Sequence, residues 1–371
     1  MKRSLRFLFF LAVALLPASQ AFSWGSATHK FINKQSVIHL PSSMSLFIQN
    51  AQFLSDHASD ADIRKSTDKT EAPKHYIDIE NYPEFATGTL SHNYDSLVMI
   101  HGLSFVTNAG TVPWAAVWMM DSLTAALKRA DTSSALQFAA DLGHYVADAH
   151  QPLHVTANYD GQQTGNNGIH SRYETTMMET YLSTITVTPM PVHYIEKPID
   201  FIFDYIYKAH VYVDSILAAD TYAKTQSGGS YNSTYYAALW EKTGALTRTQ
   251  IQDATVDLAD LYYTAAVNAG IVPLTAVKTQ GVLPNAFSLS QNFPNPFNPT
   301  THLRFTIADF RLVTLKVYDV LGRETATLVN ERKSPGTYDM QFDGSALPSG
   351  AYFYRLEAGN FAETKRMVLV K

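Results

Sequence analysis

The sequence predicts an all-α domain followed by a small all-β sandwich. Apolar residues recur at helical spacing through the first two-thirds of the chain and alternate with a period of two in the last quarter, and prolines punctuate the stretch between. With 371 residues, 46% of them hydrophobic, the chain can build one large core and a second small one.

Residues 1–23 read as a secretory signal peptide. Lys2, Arg3 and Arg6 precede an apolar run from Phe7 to Leu16, too short to span a bilayer, and Ala21 and Ser23 place the cut before Trp24. Residues 24–270 read as a helical domain. Pro113 opens a helix over 114–129. Ser133 and Ser134 cap the next helix, with Leu136, Ala139, Ala140, Leu142, Val146 and Ala147 on its apolar face, and Pro152 ends it near Gln151. The glycine- and asparagine-rich stretch 155–168 is a loop, and long helical segments near 198–223 and 231–269 complete the bundle. Residues 271–286, with Pro273 and Pro284, form a linker. In residues 287–371, Val313-Leu315-Val317 and Ala351-Phe353-Arg355 mark strands, and Gly322, Gly336 and Gly350 mark turns of the sandwich.

The chain has no cysteine, so disulfides and thiolate ligands are excluded, and any bound metal must be held by His, Asp and Glu. Residues 24–287 carry a net charge of −10 and residues 288–371 one of +2. No basic stripe runs through the larger part, which argues against tight binding of polyanions by charge alone.

Two His-x-x-x-carboxylate pairs, His144/Asp148 and His170/Glu174, flank His154. Residues four apart share a helix face, so each pair can aim an imidazole and a carboxylate at one ion. Two such pairs with a further histidine between them indicate a polynuclear metal site. His150 follows Asp148 by two residues, about 200° round the helix, and so faces elsewhere.

The end of the chain resembles a known class of domain. Leu289-Ser290-Gln291-Asn292-Phe293-Pro294-Asn295-Pro296-Phe297-Asn298-Pro299, Val317-Tyr318-Asp319 with Gly322-Arg323, Ser349-Gly350-Ala351-Tyr352-Phe353-Tyr354 and the closing Lys365-Arg366-Met367-Val368-Leu369-Val370-Lys371 are similar to the C-terminal sorting domains read by the type IX secretion machinery. The resemblance implies that machinery as a partner, and release outside, or display on, a bacterial cell.

The larger part resembles the family that joins bacterial zinc-dependent phospholipase C to zinc-dependent single-strand nucleases. The residues are Trp24-Gly25-Ser26-Ala27-Thr28-His29, the acidic run Asp56 to Arg64, Pro73-Lys74-His75-Tyr76-Ile77-Asp78, and the two pairs above. The resemblance implies three zinc ions: one on Asp60, His75, His144 and Asp148, one on the backbone of Trp24 with His29 and Asp148, and one on His154, His170 and Glu174. It makes Asp60 and Arg64 the catalytic side chains, Asp60 handling a proton or the attacking water and Arg64 neutralising the phosphate. The nucleases place arginine three residues after the ligand aspartate, whereas Arg64 is four after Asp60, so Asp62 competes for the ligand position.

Glu174 and the sixteen residues from His154 to His170 are nearer the phospholipase pattern, whereas the Trp24-Gly25 start is nearer the nuclease pattern. Tyr76 and Asp78 are placed either to stack on and hydrogen-bond a nucleobase or to serve as wall residues. The expected activity is that of a secreted phosphodiesterase hydrolysing phospholipid headgroups, working at a membrane surface without a transmembrane segment. A nuclease or nucleotidase is the alternative, and a non-catalytic metal-binding or adhesion protein a second one.

Overall fold

The computed structural model describes residues 24–272, 287–308, 311–333, 336–359 and 361–370. The expected signal peptide and most of the expected linker lie outside these residues.

The first part is helical. Its principal elements are α1 (Ser26–Ser36), the short α2 (Asp60–Arg64), α3 (Tyr94–His101), α4 (Leu103–Asn108), α5 (Val112–Lys128), α6 (Thr132–His150), α7 (Pro198–His210), α8 (Val213–Gln226) and α9 (Ser233–Asn268). Pro113 stands in the first turn of α5, where its missing N–H costs nothing. The cap of α6 is Asp131, whose carboxylate accepts from Ser134 N at 3.1 Å; the expected cap, Ser133-Ser134, already lies inside the helix. A carboxylate also complements the positive end of the helix dipole. The segment expected to be helical near 198–223 folds as two helices, because the chain turns at Val211 and Tyr212, with Tyr212 N bonded to Ala209 O at 3.0 Å.

Buried aromatic and aliphatic side chains from all these helices form one core, and α6 runs through its middle, buried along its whole second half. Gly143 sets how closely α1 approaches α6. A Cβ there would lie 2.2 Å from Asn33 Oδ1, so only glycine fits. Asn33 in turn donates to His29 O at 3.2 Å. No helix among the described residues is long and apolar enough to cross a membrane.

The second part is an antiparallel β-sandwich. One sheet has the order β1-β2-β5 and the other β4-β3-β6-β7, with β1 Ser288–Leu289, β2 Thr300–Ile307, β3 Arg311–Tyr318, β4 Glu324–Lys333, β5 Gly336–Asp343, β6 Gly350–Ala358 and β7 Phe361–Leu369. Leu303, Phe305 and Ile307 of β2 share one core with Val313, Leu315 and Val317 of β3 and Tyr354 and Leu356 of β6. The two-residue alternation of the sequence is thus the inner face of each sheet. Asn292 is buried at the entrance to this core, donating to Pro294 O and Thr301 Oγ1, each at 3.0 Å, while its backbone N–H donates to Tyr354 Oη at 2.7 Å.

Candidate metal centre

Five segments converge on α6. It contributes His144 and Asp148 from successive turns; α1 contributes His29, α2 Asp62, a 3-10 turn over Ala72–His75 contributes His75, and another over Pro152–His154 contributes His154. His170 and Glu174 come from a helical segment that begins at Ile169 and widens into a π-turn over Arg172–Met177. Gly168 leads into that segment at φ +81°, a conformation that favours glycine. Arg172 fixes the segment from below, bonding Asp220 Oδ1 and Tyr235 Oη, each at 2.9 Å.

Three trios of ligand-type atoms result: His29/Asp62/His144, His75/His144/Asp148 and His154/His170/Glu174. In the second, Asp148 Oδ2 lies 2.9 Å from His75 Nδ1 and 3.2 Å from His144 Nε2, and the two nitrogens are 2.9 Å apart. Asp62 Oδ1 stands 3.6 Å from the same two nitrogens. In the third trio His154 Nε2, His170 Nε2 and Glu174 Oε2 are separated by 3.0–3.1 Å. Tetrahedral zinc with bonds of ~2.0–2.1 Å keeps its nitrogen and oxygen ligands ~3.3 Å apart, so the spacing fits such an ion. The imidazoles are also set for it. His144 Nδ1 donates to Ala58 O at 2.7 Å and His154 Nδ1 to His75 O at 2.9 Å, which leaves each Nε2 lone pair facing the trio. The buried Asp148 Oδ1 accepts no hydrogen bond, although His29 Nε2 and His154 Nδ1 flank it at 3.4 and 3.2 Å. Trp24 is buried with its ring near Tyr173, and Gly25 N bonds Glu174 O at 3.3 Å, so the start of the helical domain is held against the Glu174 segment.

The protonation pattern shows how strongly these groups call for positive charge. Burial opposes ionisation of Asp148, yet His144 and His154 hold its carboxyl well below the ordinary range. Burial likewise opposes a charged His154, but Asp148 and Glu174 push it up to about 10. His29, fully buried and beside His144, is lowered.

Two expected site residues are placed elsewhere. Asp60 is not brought into any trio: one-third exposed, it bonds His57 Nδ1 at 2.7 Å and Gln137 Nε2 at 3.2 Å. Asp60 and Asp62 are two residues apart on α2, so they point to opposite sides of it, and it is Asp62 that faces α6. Arg64 is held by Asp141 at 3.0 Å, Tyr145 at 3.4 Å and Glu71 at 3.5 Å, and Glu71 in turn lies 3.6 Å from His75 Nε2. Its guanidinium braces His75 through Glu71. Beside Asp62 stands the cation Lys65, three residues further along and 2.6 Å away. With Asp62 as ligand, Lys65 takes the position where the nucleases have arginine, a frame visible in the sequence once Asp62 is chosen.

A cavity of about 330 Å³ opens on the third trio, walled by Lys65, His75, Tyr76, Asp78, His154, Tyr159 and His170. Burial, reinforced by Glu80, pushes Asp78 up to about 7.

A helical domain with three imidazole–carboxylate trios of metal-ligand type, two of them wholly buried, has the side chains of a metal-dependent protein. Residues 24–266 match the family model described as S1/P1 Nuclease, and the chain belongs to that family, whose members are zinc-dependent phosphodiester hydrolases. Residues 291–371 match the model described as Secretion system C-terminal sorting domain, which marks the chain for type IX export to the cell surface or beyond. Among solved structures the chain is similar to the alpha toxin from Clostridium absonum, at 10% identity and a TM-score of 0.40, over 95% of this chain and 98% of that one. A Clostridium perfringens alpha-toxin from an avian strain matches over the same shares, at 10% identity and a TM-score of 0.36. No curated protein matches the chain.

Proposed function

We propose that the protein is a three-zinc phosphodiesterase whose substrates are single-stranded nucleic acid and nucleotides. Asp62, His75, His144 and Asp148 would hold one ion, Trp24, His29 and Asp148 a second, and His154, His170 and Glu174 the third. When bound, such ions acidify water and offset the charge of the phosphoryl oxygens. The chain's own residues then do the positioning. Lys65, at the cavity wall, draws the phosphate towards the ligands. Glu71 and Arg64 hold the His75 ring in place, and the helical segment from Ile169 sets His170 at the cavity wall, 3.0 Å from the buried Glu174.

The observation that carries the nucleotide reading is the cavity wall. Tyr76 offers a ring whose hydroxyl is anchored on Asn108 O at 3.3 Å, and Asp78, whose carboxyl burial pushes up to about 7, can donate to a base-edge acceptor when protonated. Tyr159 stands half-exposed at the wall, edge-on to His170 at 6.0 Å. A planar ring system has both stacking and hydrogen-bonding partners here.

The phospholipid reading, placed first on sequence spacing, keeps one structural support. Met99, Ile100 and Leu103 at the α3–α4 turn are 86%, 62% and 59% exposed, and α4 leads to the Asn108 carbonyl that anchors Tyr76. The mature chain is therefore assayed in parallel on single-stranded DNA and on phospholipid vesicles. Acid-soluble nucleotide, abolished by a chelator, is the expected product. Released phosphorylated headgroup without nucleotide would overturn the substrate, and inertness towards both would favour a non-catalytic metal-binding role.

A further inference from the structure

A second concavity, of about 530 Å³, shares no lining residue with the catalytic cavity. It lies between α3, α5 and α7 and is walled by Tyr94, Trp114, Trp118, His92, Ile199 and Asp200. Tyr94 meets Trp114 at 5.3 Å and 66°, and Trp118 at 5.3 Å and 82°. Rings set nearly at right angles make the corner of a box. Trp114 is locked by its indole N–H, which donates to His92 O at 2.8 Å, while Trp118 is 43% exposed.

One carboxylate completes the box. His92 Nδ1 donates to Asp200 Oδ1 at 2.8 Å, and Tyr207 Oη bonds His92 Nε2 at 2.9 Å, so the imidazole is held as a fixed donor. Burial lowers the His92 pKa despite Asp200, and the ring therefore does not cancel the carboxylate's charge. Among the described residues no lysine or arginine pairs with Asp200.

We propose that this aromatic box binds an organic cation of the quaternary ammonium class. Aromatic faces attract a cation through their quadrupole but accept no strong hydrogen bonds. A primary ammonium would lose more hydration than the box returns, whereas a methylated ammonium loses little. Asp200 supplies the complementary charge. Both free choline-type solutes and choline headgroups of a lipid carry this chemistry.

The test uses the metal-loaded mature chain, titrated with tetramethylammonium, with choline and with the neutral isostere 3,3-dimethylbutan-1-ol, following tryptophan fluorescence. A saturable response to both cations is expected, weaker by roughly tenfold for the neutral isostere and in Trp118→Ala and Asp200→Asn. Asp200→Asn retains an acceptor for His92, and thermal melts of both variants report whether they fold. Trp118→Ala should hydrolyse a soluble nucleotide substrate at the wild-type rate, which separates this site from the catalytic one. Sedimentation with phosphatidylcholine vesicles but not phosphatidylglycerol vesicles would identify the lipid headgroup as the source, and saturable choline binding without sedimentation would identify a free solute. An equal response to the neutral isostere, or no change in both variants, would overturn the proposal.

Discussion

Asp62 and Asp148 both reach the same imidazole nitrogen: Asp62 Oδ1 lies 3.6 Å and Asp148 Oδ2 2.9 Å from His75 Nδ1. Two buried carboxylates this close repel each other unless positive charge sits among them. Burial opposes ionisation of Asp62 too, yet His144, His29 and Lys65 hold its carboxyl below the ordinary range. The fold has therefore spent two charges where only a cation makes them stable together.

Asp62→Asn should lose bound metal and reduce phosphodiester hydrolysis by more than the roughly 10- to 100-fold that loss of an outer supporting partner costs. Asp60→Asn, altering a one-third exposed side chain that hydrogen-bonds His57 and Gln137, should keep full metal content and a rate near wild type. Metal analysis and rate measurement on both variants decide between the two aspartates. Equal losses in the two would refute the assignment of Asp62.

Adjacent cations should separate into two phenotypes. Arg64→Ala leaves Asp141 and Glu71, both nearly buried, without their guanidinium. A fully buried pair broken this way costs ~3–5 kcal/mol, and the one-third exposure of Arg64 reduces the expected loss to about 2 kcal/mol. Lys65→Ala in the metal-loaded chain should lose less stability, because a bound ion still faces Asp62, and should raise KM or lower kcat, because Lys65 lines the cavity. Thermal melts set beside steady-state kinetics give the answer. A destabilised Lys65→Ala with normal kinetics would reverse the roles.

The contrast shows what the sequence could and could not carry. Spacings of four placed His144 with Asp148 and His170 with Glu174 on common faces, and two-residue alternation in 313–317 exposed the sandwich, because helix and strand periods are local properties. Choosing Asp62 over Asp60 needed the rotation of a five-residue helix against α6, a tertiary fact. The break at Val211–Tyr212 has no glycine or proline to announce it. The box around Trp118 joins residues of three helices, about 80 positions apart along the chain from Trp118 to Asp200, and no local pattern encodes it.

Substrate affinity should depend on pH through Asp78. Burial raises its folded pKa from 3.8 to about 7, so the proton that can bond a base acceptor is present below that value and lost as pH rises through it. KM for a nucleotide substrate should climb between pH 6 and 8 and flatten in Asp78→Asn, which keeps a donor at every pH. The same shift works against the fold at high pH: the folded state binds the proton more tightly than the unfolded chain, so stability declines from about pH 4 to 7. Asp78→Asn should therefore melt higher than wild type at pH 8 and lose that advantage at pH 4. A KM profile identical in the two proteins would remove Asp78 from substrate recognition.

The free amine of Trp24 is the last requirement the proposed site makes. A terminal amine carries a lone pair that can ligate zinc, whereas the same nitrogen inside a peptide bond is delocalised into the carbonyl and cannot. Trp24 is fully buried and Gly25 is bonded to the backbone of Glu174, so the position of residue 24 is fixed by the fold, not by the metal alone. A chain that retains Ser23 should accordingly fold, keep the ions on His75/His144 and on His154/His170/Glu174, and bind one ion fewer than the chain that starts at Trp24. Metal analysis of the two purified forms reads the difference directly, and their melting temperatures show the cost: an ion present at about 100 times its Kd contributes ~2.7 kcal/mol. Equal metal content and equal activity in both forms would show that His29 and its carboxylate neighbours hold their ion without the amine.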